Sequence, residues 1–339
     1  MTSTQRLGRH RQPVAAPARR RRARRWAAIT AAIVLAAGAA VGAVNYADGP
    51  PAARAGPVAR QDGRIALPTS TGSYLGLYPD GVPSSYAGAR AFTAATGVRP
   101  DVVVYYSGWL EPFKAAFAST ASRSGAVPLV QINPDRVSIG AIAAGRYDKY
   151  LRTYAAAVRD YGHPVIVSFG HEMNGDWYSW AAGHTSPATF VAAWRHVVDV
   201  FRAAGTPNVT WLWTVNVFRS QAGVSSPRAW WPGDAYVTWV GLDGYYYSPA
   251  TKFSSLFGPA VAGVRAWTRK PILVTETSAT PAAGQPAKIE DLFAGIRLYG
   301  LLGFVWFDNQ TNQDWRLTSP AAIAAFRRGA QRYRPPTSG

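Results

Sequence analysis

From about residue 65 onward the chain alternates between two hydrophobic rhythms. Short, nearly unbroken apolar runs bounded by Pro, Gly or Asp read as strands buried on both faces. They fall at Tyr74–Tyr78, Asp101–Tyr106, Pro128–Ile132, Pro164–Phe169, Val209–Thr214, Val237–Leu242, Pro271–Thr275 and Gly303–Phe307. Between them, apolar residues recur every third or fourth position. Phe190, Val191, Trp194, Val197, Val198 and Phe201 mark a helix over Pro187–Ala203, opened by Ser186 with Pro at its first position and stopped by Gly205. Arg146–Tyr161 reads the same way and ends at Gly162. Strands alternating with helices predict βα units around a parallel sheet, and eight such strands predict an α/β fold of the (β/α)8 TIM-barrel type.

The first 64 residues follow neither rhythm. Nine arginines precede Trp26, and Trp26–Val44 carries no charge. A basic flank before an apolar run is an export or membrane-insertion signal, and the arginine excess predicts a cytoplasmic N-terminal side. Residues 1–47 are therefore expected to be a basic tail with a transmembrane anchor or signal peptide. Residues 48–64, with Pro50, Pro51 and Pro57, read as a linker, and 65–335 as one catalytic-size domain placed outside the cytoplasm, tethered or secreted.

The formal charge of +18 is concentrated in that leader. From residue 65 on, 24 basic side chains face 16 acidic ones with no Lys/Arg-rich run, which argues against a nucleic-acid partner. There is no cysteine, so an exported domain here depends on its core rather than on disulfides.

Candidate chemistry enters at the strand ends, where a TIM barrel builds its site. Only four glutamates occur, and two of them, Glu172 and Glu276, stand just past the fourth and seventh strands, facing each other across the barrel mouth. Two carboxyl groups across a cleft are what glycosidic bond cleavage needs. Tryptophan is abundant in the same loops: Trp109, Trp177, Trp180, Trp230, Trp231 and Trp306 could offer faces on which sugar rings stack. Glu111 reads as the first turn of a helix and Glu290 as a solvated helix position. Trp194, Trp211 and Trp239 read as core. His171-Glu172 lacks the second histidine of a zinc-protease helix, and no phosphate-cradling glycine loop is present, so neither a metal nor a cofactor is expected.

The segment His171-Glu172-Met173-Asn174-Gly175-Asp176-Trp177 resembles the acid/base motif of glycoside hydrolase family 26, whose best-known members are β-mannanases. Val240-Gly241-Leu242-Asp243-Gly244-Tyr245, Thr275-Glu276-Thr277 and Phe304-Val305-Trp306-Phe307 with Asp314-Trp315-Arg316 resemble its sixth-, seventh- and eighth-strand regions in the same order. The resemblance implies an endo-acting, retaining hydrolase of β-linked polysaccharide, with Glu172 as general acid/base and Glu276 as nucleophile. It also implies that His171, Trp177, Tyr245 and Trp306 contact substrate, Tyr245 by orienting Glu276 and Trp306 as the floor beneath the reacting sugar; Trp109, after the second strand, reads either as a further sugar contact or as ordinary packing. Asn174 is expected to brace its loop. The implied substrate is β-1,4-mannan, with mixed-linkage β-glucan or xylan as alternatives. At the third strand Gln131-Ile132-Asn133-Pro134 stands where many mannanases of the family carry a histidine. A non-catalytic carbohydrate-binding protein on the same barrel is the alternative of a different class.

Overall fold

The computed structural model describes residues 59–61, 64–218, 226–311 and 313–333. The expected anchor or signal segment and most of the linker lie outside the described residues. At the linker's end, Ala59–Gln61 pairs antiparallel with Arg64–Ala66 in a short ribbon.

All eight expected strands form, and they close into a barrel of parallel strands. They are β1 (Tyr74–Pro79), β2 (Val102–Gly108), β3 (Val127–Asn133), β4 (Val165–Phe169), β5 (Val209–Asn216), β6 (Trp239–Asp243), β7 (Ile272–Thr277) and β8 (Gly303–Asp308). Closure is made by β8 on β1, from Gly303 opposite Tyr74 to Asp308 opposite Pro79. Around the sheet lie α1 (Ala87–Thr96), α2 (Ala115–Arg123), α3 (Ile139–Ala143), α4 (Asp148–Tyr161), α5 (Pro187–Ala203), α6 (Phe253–Leu256), α7 (Gly258–Arg265), α8 (Gln285–Leu298) and α9 (Pro320–Tyr333). Helix α5 starts as its sequence demands: the Ser186 hydroxyl accepts the Thr189 amide at 3.1 Å, with Pro187 in the first turn. Helix α4 ends at Gly162, whose φ of 73° lets the chain turn left-handed without strain. Among the described residues, no helix is long and apolar enough to cross a membrane.

Strand residues that point outward pack on the helices, as Tyr105 on Phe117, Phe169 on Phe190, Trp211 on Phe201 and Phe304 on Phe326. Those that point inward are apolar low in the barrel, where Tyr74 meets Trp239 across the axis at 5.1 Å. Higher up they become polar. Gln131, Ser168, Thr214 and Thr275 are all buried, and the Ser168 hydroxyl reaches that of Thr214 at 3.3 Å. Gly241 makes this layer possible, because a Cβ there would come within 2.5 Å of both threonine hydroxyls.

One irregularity positions the site. Strand β7 pairs Val274 with Leu242 but Glu276 with Asp243 on one side, and on the other Val274 with Phe304 but Thr277 with Trp306. Both neighbours therefore meet an extra residue at the same place in β7, a bulge. Strict alternation would send Thr275 inward and Glu276 out to the helices. The bulge lets Glu276 also turn inward, so the glutamate expected just past the strand is one of its residues.

Candidate active site

Glu172 is carried by the loop after β4. Its backbone takes φ of 54°, a left-handed conformation that costs a glutamate about 1 kcal/mol or more. The loop is clamped there: the Glu172 amide donates to the Thr214 carbonyl at 3.0 Å. Asn174 both donates to the Asn216 carbonyl and accepts the Asn216 amide, each at 2.9 Å, bracing the loop as its position suggested. The Glu172 side chain, only 2% exposed, accepts one hydrogen bond from the Asn216 amide group at 2.6 Å and one from the Trp177 indole at 2.8 Å. Gly175 gives the indole its space, since a Cβ there would lie 2.3 Å from the ring.

Glu276, equally buried, is held from both sides by phenols. The Tyr245 hydroxyl donates to one carboxyl oxygen at 2.7 Å, and the Tyr106 hydroxyl, from β2 across the mouth, donates to the other. A third acid, Asp243, ends β6 in register with Glu276 and is fully buried. His171 is 1% exposed, and its Nε2 lies 3.2 Å from the Tyr178 hydroxyl.

These surroundings separate the acids electrostatically. Burial, then the charge of Glu276, push the Glu172 carboxyl up to about 8, against the pull of its Asn216 and Trp177 donors. Burial also raises Glu276, against the pull of its two phenol donors; the charge of Glu276 raises Glu172 while Glu172 is not among the causes that raise Glu276, so Glu276 is the member of the pair that ionises first. Burial, then Glu276 and Glu172, hold Asp243 well above the usual carboxylate range. Burial pushes the His171 imidazole down to about 3, leaving it neutral at physiological pH. Among the described residues, no group of three or more His, Asp or Glu side chains is arranged to hold a metal ion.

A buried, unequally supported pair of carboxyl groups at the C-terminal mouth of a barrel fits glycosidic chemistry. The profile of glycosyl hydrolase family 26 matches residues 145–315, half of the chain and all the strands from β4 to β8. The chain belongs to glycosyl hydrolase family 26. Its relatives carry the names of different activities. Endoglucanase H of Acetivibrio thermocellus is 31% identical over 273 residues, 76% of this chain and 30% of the relative. The beta-1,3-xylanase TXYA of a Vibrio species is 26% identical over 199 residues, 55% of this chain and 41% of the relative. The chain thus spans less than half the length of both. Among solved structures, a Cellulomonas fimi endo-beta-1,4-mannanase superposes with a TM-score of 0.58 at 19% identity, covering 77% of this chain and 69% of that one. Bacillus subtilis mannanase BCman does so with 0.56 at 18% identity, covering 76% and 85%. These two likenesses show the barrel.

Of the residues that the family-26 resemblance marks, Trp177 lies on Glu172 and Tyr245 on Glu276, and His171 lies in the same buried cluster, 5.5 Å from the Tyr106 ring. Two tryptophans do not. Trp306 is fully buried and packs its ring on Phe326 of α9, on the outer face of β8. The inward position is Phe307, which meets Tyr78 and Tyr245. Trp109 packs against Tyr147, Tyr150 and Phe169, away from both glutamates. Trp180 and Trp230 are likewise buried, Trp180 stacked on Tyr178 with its indole donating to the His171 carbonyl at 2.8 Å. Glu111 precedes α2 instead of opening it and pairs with Lys114 at 3.3 Å. Glu290 is solvated on α8, paired with Arg328 at 2.8 Å.

Tyr106, Asn216, Phe307 and Trp315 were not anticipated from the sequence. Trp315, in the loop after β8, packs on Tyr245 at 4.8 Å. For Tyr106 and Asn216 a signal existed: each is a polar side chain at the C-terminal end of a barrel strand, where a TIM barrel places its chemistry.

Proposed function

We propose that this protein is an endo-acting, retaining hydrolase of a β-linked polysaccharide, with Glu276 as nucleophile and Glu172 as general acid/base. The observation that carries this reading is the unequal support of the pair: two phenol donors on Glu276, and burial beside that charge for Glu172. A Glu276 oxygen attacks the anomeric carbon while Glu172 gives its proton to the departing glycosidic oxygen. The chain is cut, and one half is left as an ester on Glu276. Glu172, now ionised, takes a proton from water, whose oxygen attacks the same carbon and releases Glu276. Two inversions restore the β configuration. Tyr245 and Tyr106 orient Glu276 throughout, and neutral His171 and Trp177 complete the wall around the reacting sugar.

The polymer we propose is β-1,4-mannan, supported by the motif resemblance and by a mannan endo-1,4-beta-mannosidase of Caldalkalibacillus mannanilyticus, 30% identical over 95 residues. A second reading, β-glucan, is favoured by the endoglucanase relative, which aligns with 76% of this chain. Hydrolysis of linear mannan, glucomannan, barley β-glucan, lichenan and xylans, with product sizes and the anomeric form followed by NMR, tests all parts together. Short internal-cleavage products of β configuration are expected. An α product removes Glu276 as nucleophile, and the preferred polymer decides between the two backbones. We further propose that the enzyme works outside the cytoplasm, a reading supported by the arginine-rich flank and apolar run before residue 47. The share of full-length protein recovered with membranes separates a tether from a cleaved signal.

A further inference from the structure

The loops after β6, β7 and β8 are fastened to one another. Tyr246 bridges to Ala279, with the Tyr246 amide donating to the Ser278 carbonyl at 2.9 Å and the Thr280 amide to the Tyr246 carbonyl at 3.1 Å. The Ser278 hydroxyl donates to the Trp315 carbonyl at 3.0 Å, tying in the third loop. Between them lies a cavity of about 840 Å³ lined by Tyr247, Thr280, Pro281, Ala282, Gln313 and Asp314. Its size falls among pockets that enclose small ligands, roughly 300–1,000 Å³.

An aromatic path connects this cavity to the reacting centre. Tyr245, whose hydroxyl holds Glu276, packs on Trp315 at 4.8 Å, and Tyr247 lies 5.5 Å from Trp315 and 6.3 Å from Tyr245. Tyr247 itself is 51% exposed, a large ring presented to solvent at the cavity edge. The lining pairs a ring and two apolar side chains with a hydroxyl, an amide and a carboxylate, the mixture that receives a sugar's apolar face and its hydroxyls. Asp314 is bound by Arg316 through both oxygens, at 2.9 and 3.0 Å, which keeps it an ionised acceptor in a fixed place. Such a group suits hydroxyl donors and repels a uronate.

The cavity's position says which part of a substrate could reach it. A chain cut between Glu172 and Glu276 must pass between them. The cavity is lined by the loops after β6, β7 and β8, and Tyr247 at its edge feels the charges of both Glu172 and Glu276, so it opens beside the reacting centre. A main-chain unit would run past it, whereas a substituent on a sugar near the cleavage point would enter it.

We propose that this cavity is a side-branch pocket, taking an uncharged sugar substituent of the polysaccharide being cut, with Tyr247 as its stacking face and Asp314, Gln313 and Thr280 as hydrogen-bond partners. The inference rests on the proposed polysaccharide hydrolysis. Its test compares matched substrates, linear mannan with galactomannan oligosaccharides and linear β-glucan with xyloglucan oligosaccharides, for the intact protein and its Tyr247→Ala, Tyr247→Phe and Gln313→Ala variants. The ratio of kcat/KM on branched over linear substrate should fall roughly 3- to 10-fold in Tyr247→Ala, the worth of one aromatic contact, and recover in Tyr247→Phe. A ratio unchanged in both Tyr247→Ala and Gln313→Ala overturns the pocket. Calorimetric titration of branched oligosaccharide into Glu276→Gln protein, with and without Tyr247→Ala, separates this inference from the one beneath it. Tyr247-dependent affinity in a protein whose unmodified form cuts no polysaccharide keeps the pocket and removes the reaction. Equal affinity with and without the ring removes the pocket.

Discussion

The strand-four and strand-seven sides of the mouth each present one glutamate, yet they are built on different principles. On the strand-four side Glu172 sits on a left-handed residue of a clamped loop, its donors an amide and an indole. On the strand-seven side Glu276 sits in the sheet, turned inward by a bulge, its donors two phenols from separate strands. In the proposed reaction the loop site gives and takes a proton, and the sheet site holds a carboxylate still. Donors to a carboxylate favour its charge, and that charge then raises the pKa of its neighbour, so the two sites titrate as one system with the charge on Glu276.

The largest test of this difference removes each carboxylate. Glu276→Ala should lose roughly 10,000-fold or more in kcat on any substrate, because in the proposed mechanism the ester forms on Glu276. Glu172→Ala should lose about 100- to 10,000-fold on polysaccharide but far less on a dinitrophenyl glycoside, whose leaving group needs no proton. Steady-state rates on both substrates check it, and the opposite pattern would exchange the roles.

A smaller effect is expected from the phenols. A hydrogen bond to a charged group contributes about 1.5–3 kcal/mol, so Tyr245→Phe and Tyr106→Phe should each lower kcat/KM by roughly 10- to 100-fold. Each substitution also removes a donor that favours the Glu276 carboxylate, so its pKa should rise and the acid limb of the pH profile should move to higher pH. Lost activity without that movement would leave the phenols a packing role only.

How much of this was legible in the sequence follows from the same two sides. The barrel was readable because its strands are short β-rich runs punctuated by residues such as Pro164, Gly205 and Pro271, and the glutamates stood out as rare acids beside such runs. What failed was phase. A parallel strand buried on both faces has no polar alternation to say which residues look inward. The resemblance implies Trp306 beneath the sugar, and no polar alternation in β8 shows that Phe307 is the inward residue, just as nothing in Tyr105-Tyr106 tells which ring faces Glu276. The β7 bulge is invisible for the same reason, since the extra residue lies within a continuous run. Asn216 was lost differently: β5 continues two residues past Thr214, where the strand was expected to end, and the Asn216 side chain acts from that extension.

The finest test lies on the strand-four side. Asn216 and Trp177 both donate to Glu172, and such donors stabilise the ionised form, so they lower a pKa that burial and Glu276 have pushed up to about 8. In the proposed mechanism Glu172 is the acid only while protonated, so the alkaline limb of kcat/KM should fall near pH 8 in the unmodified protein. Removing a donor in Asn216→Ala or Trp177→Phe disfavours the carboxylate further. The alkaline limb should then move up by about one pH unit, the equivalent of about 1.4 kcal/mol, while the acid limb, set by Glu276, stays in place. The phenol variants should do the reverse, moving the acid limb. A pH profile in which Asn216→Ala moves both limbs together would mean that the two carboxylates share their environment, and that the division between a loop site and a sheet site is one of geometry alone.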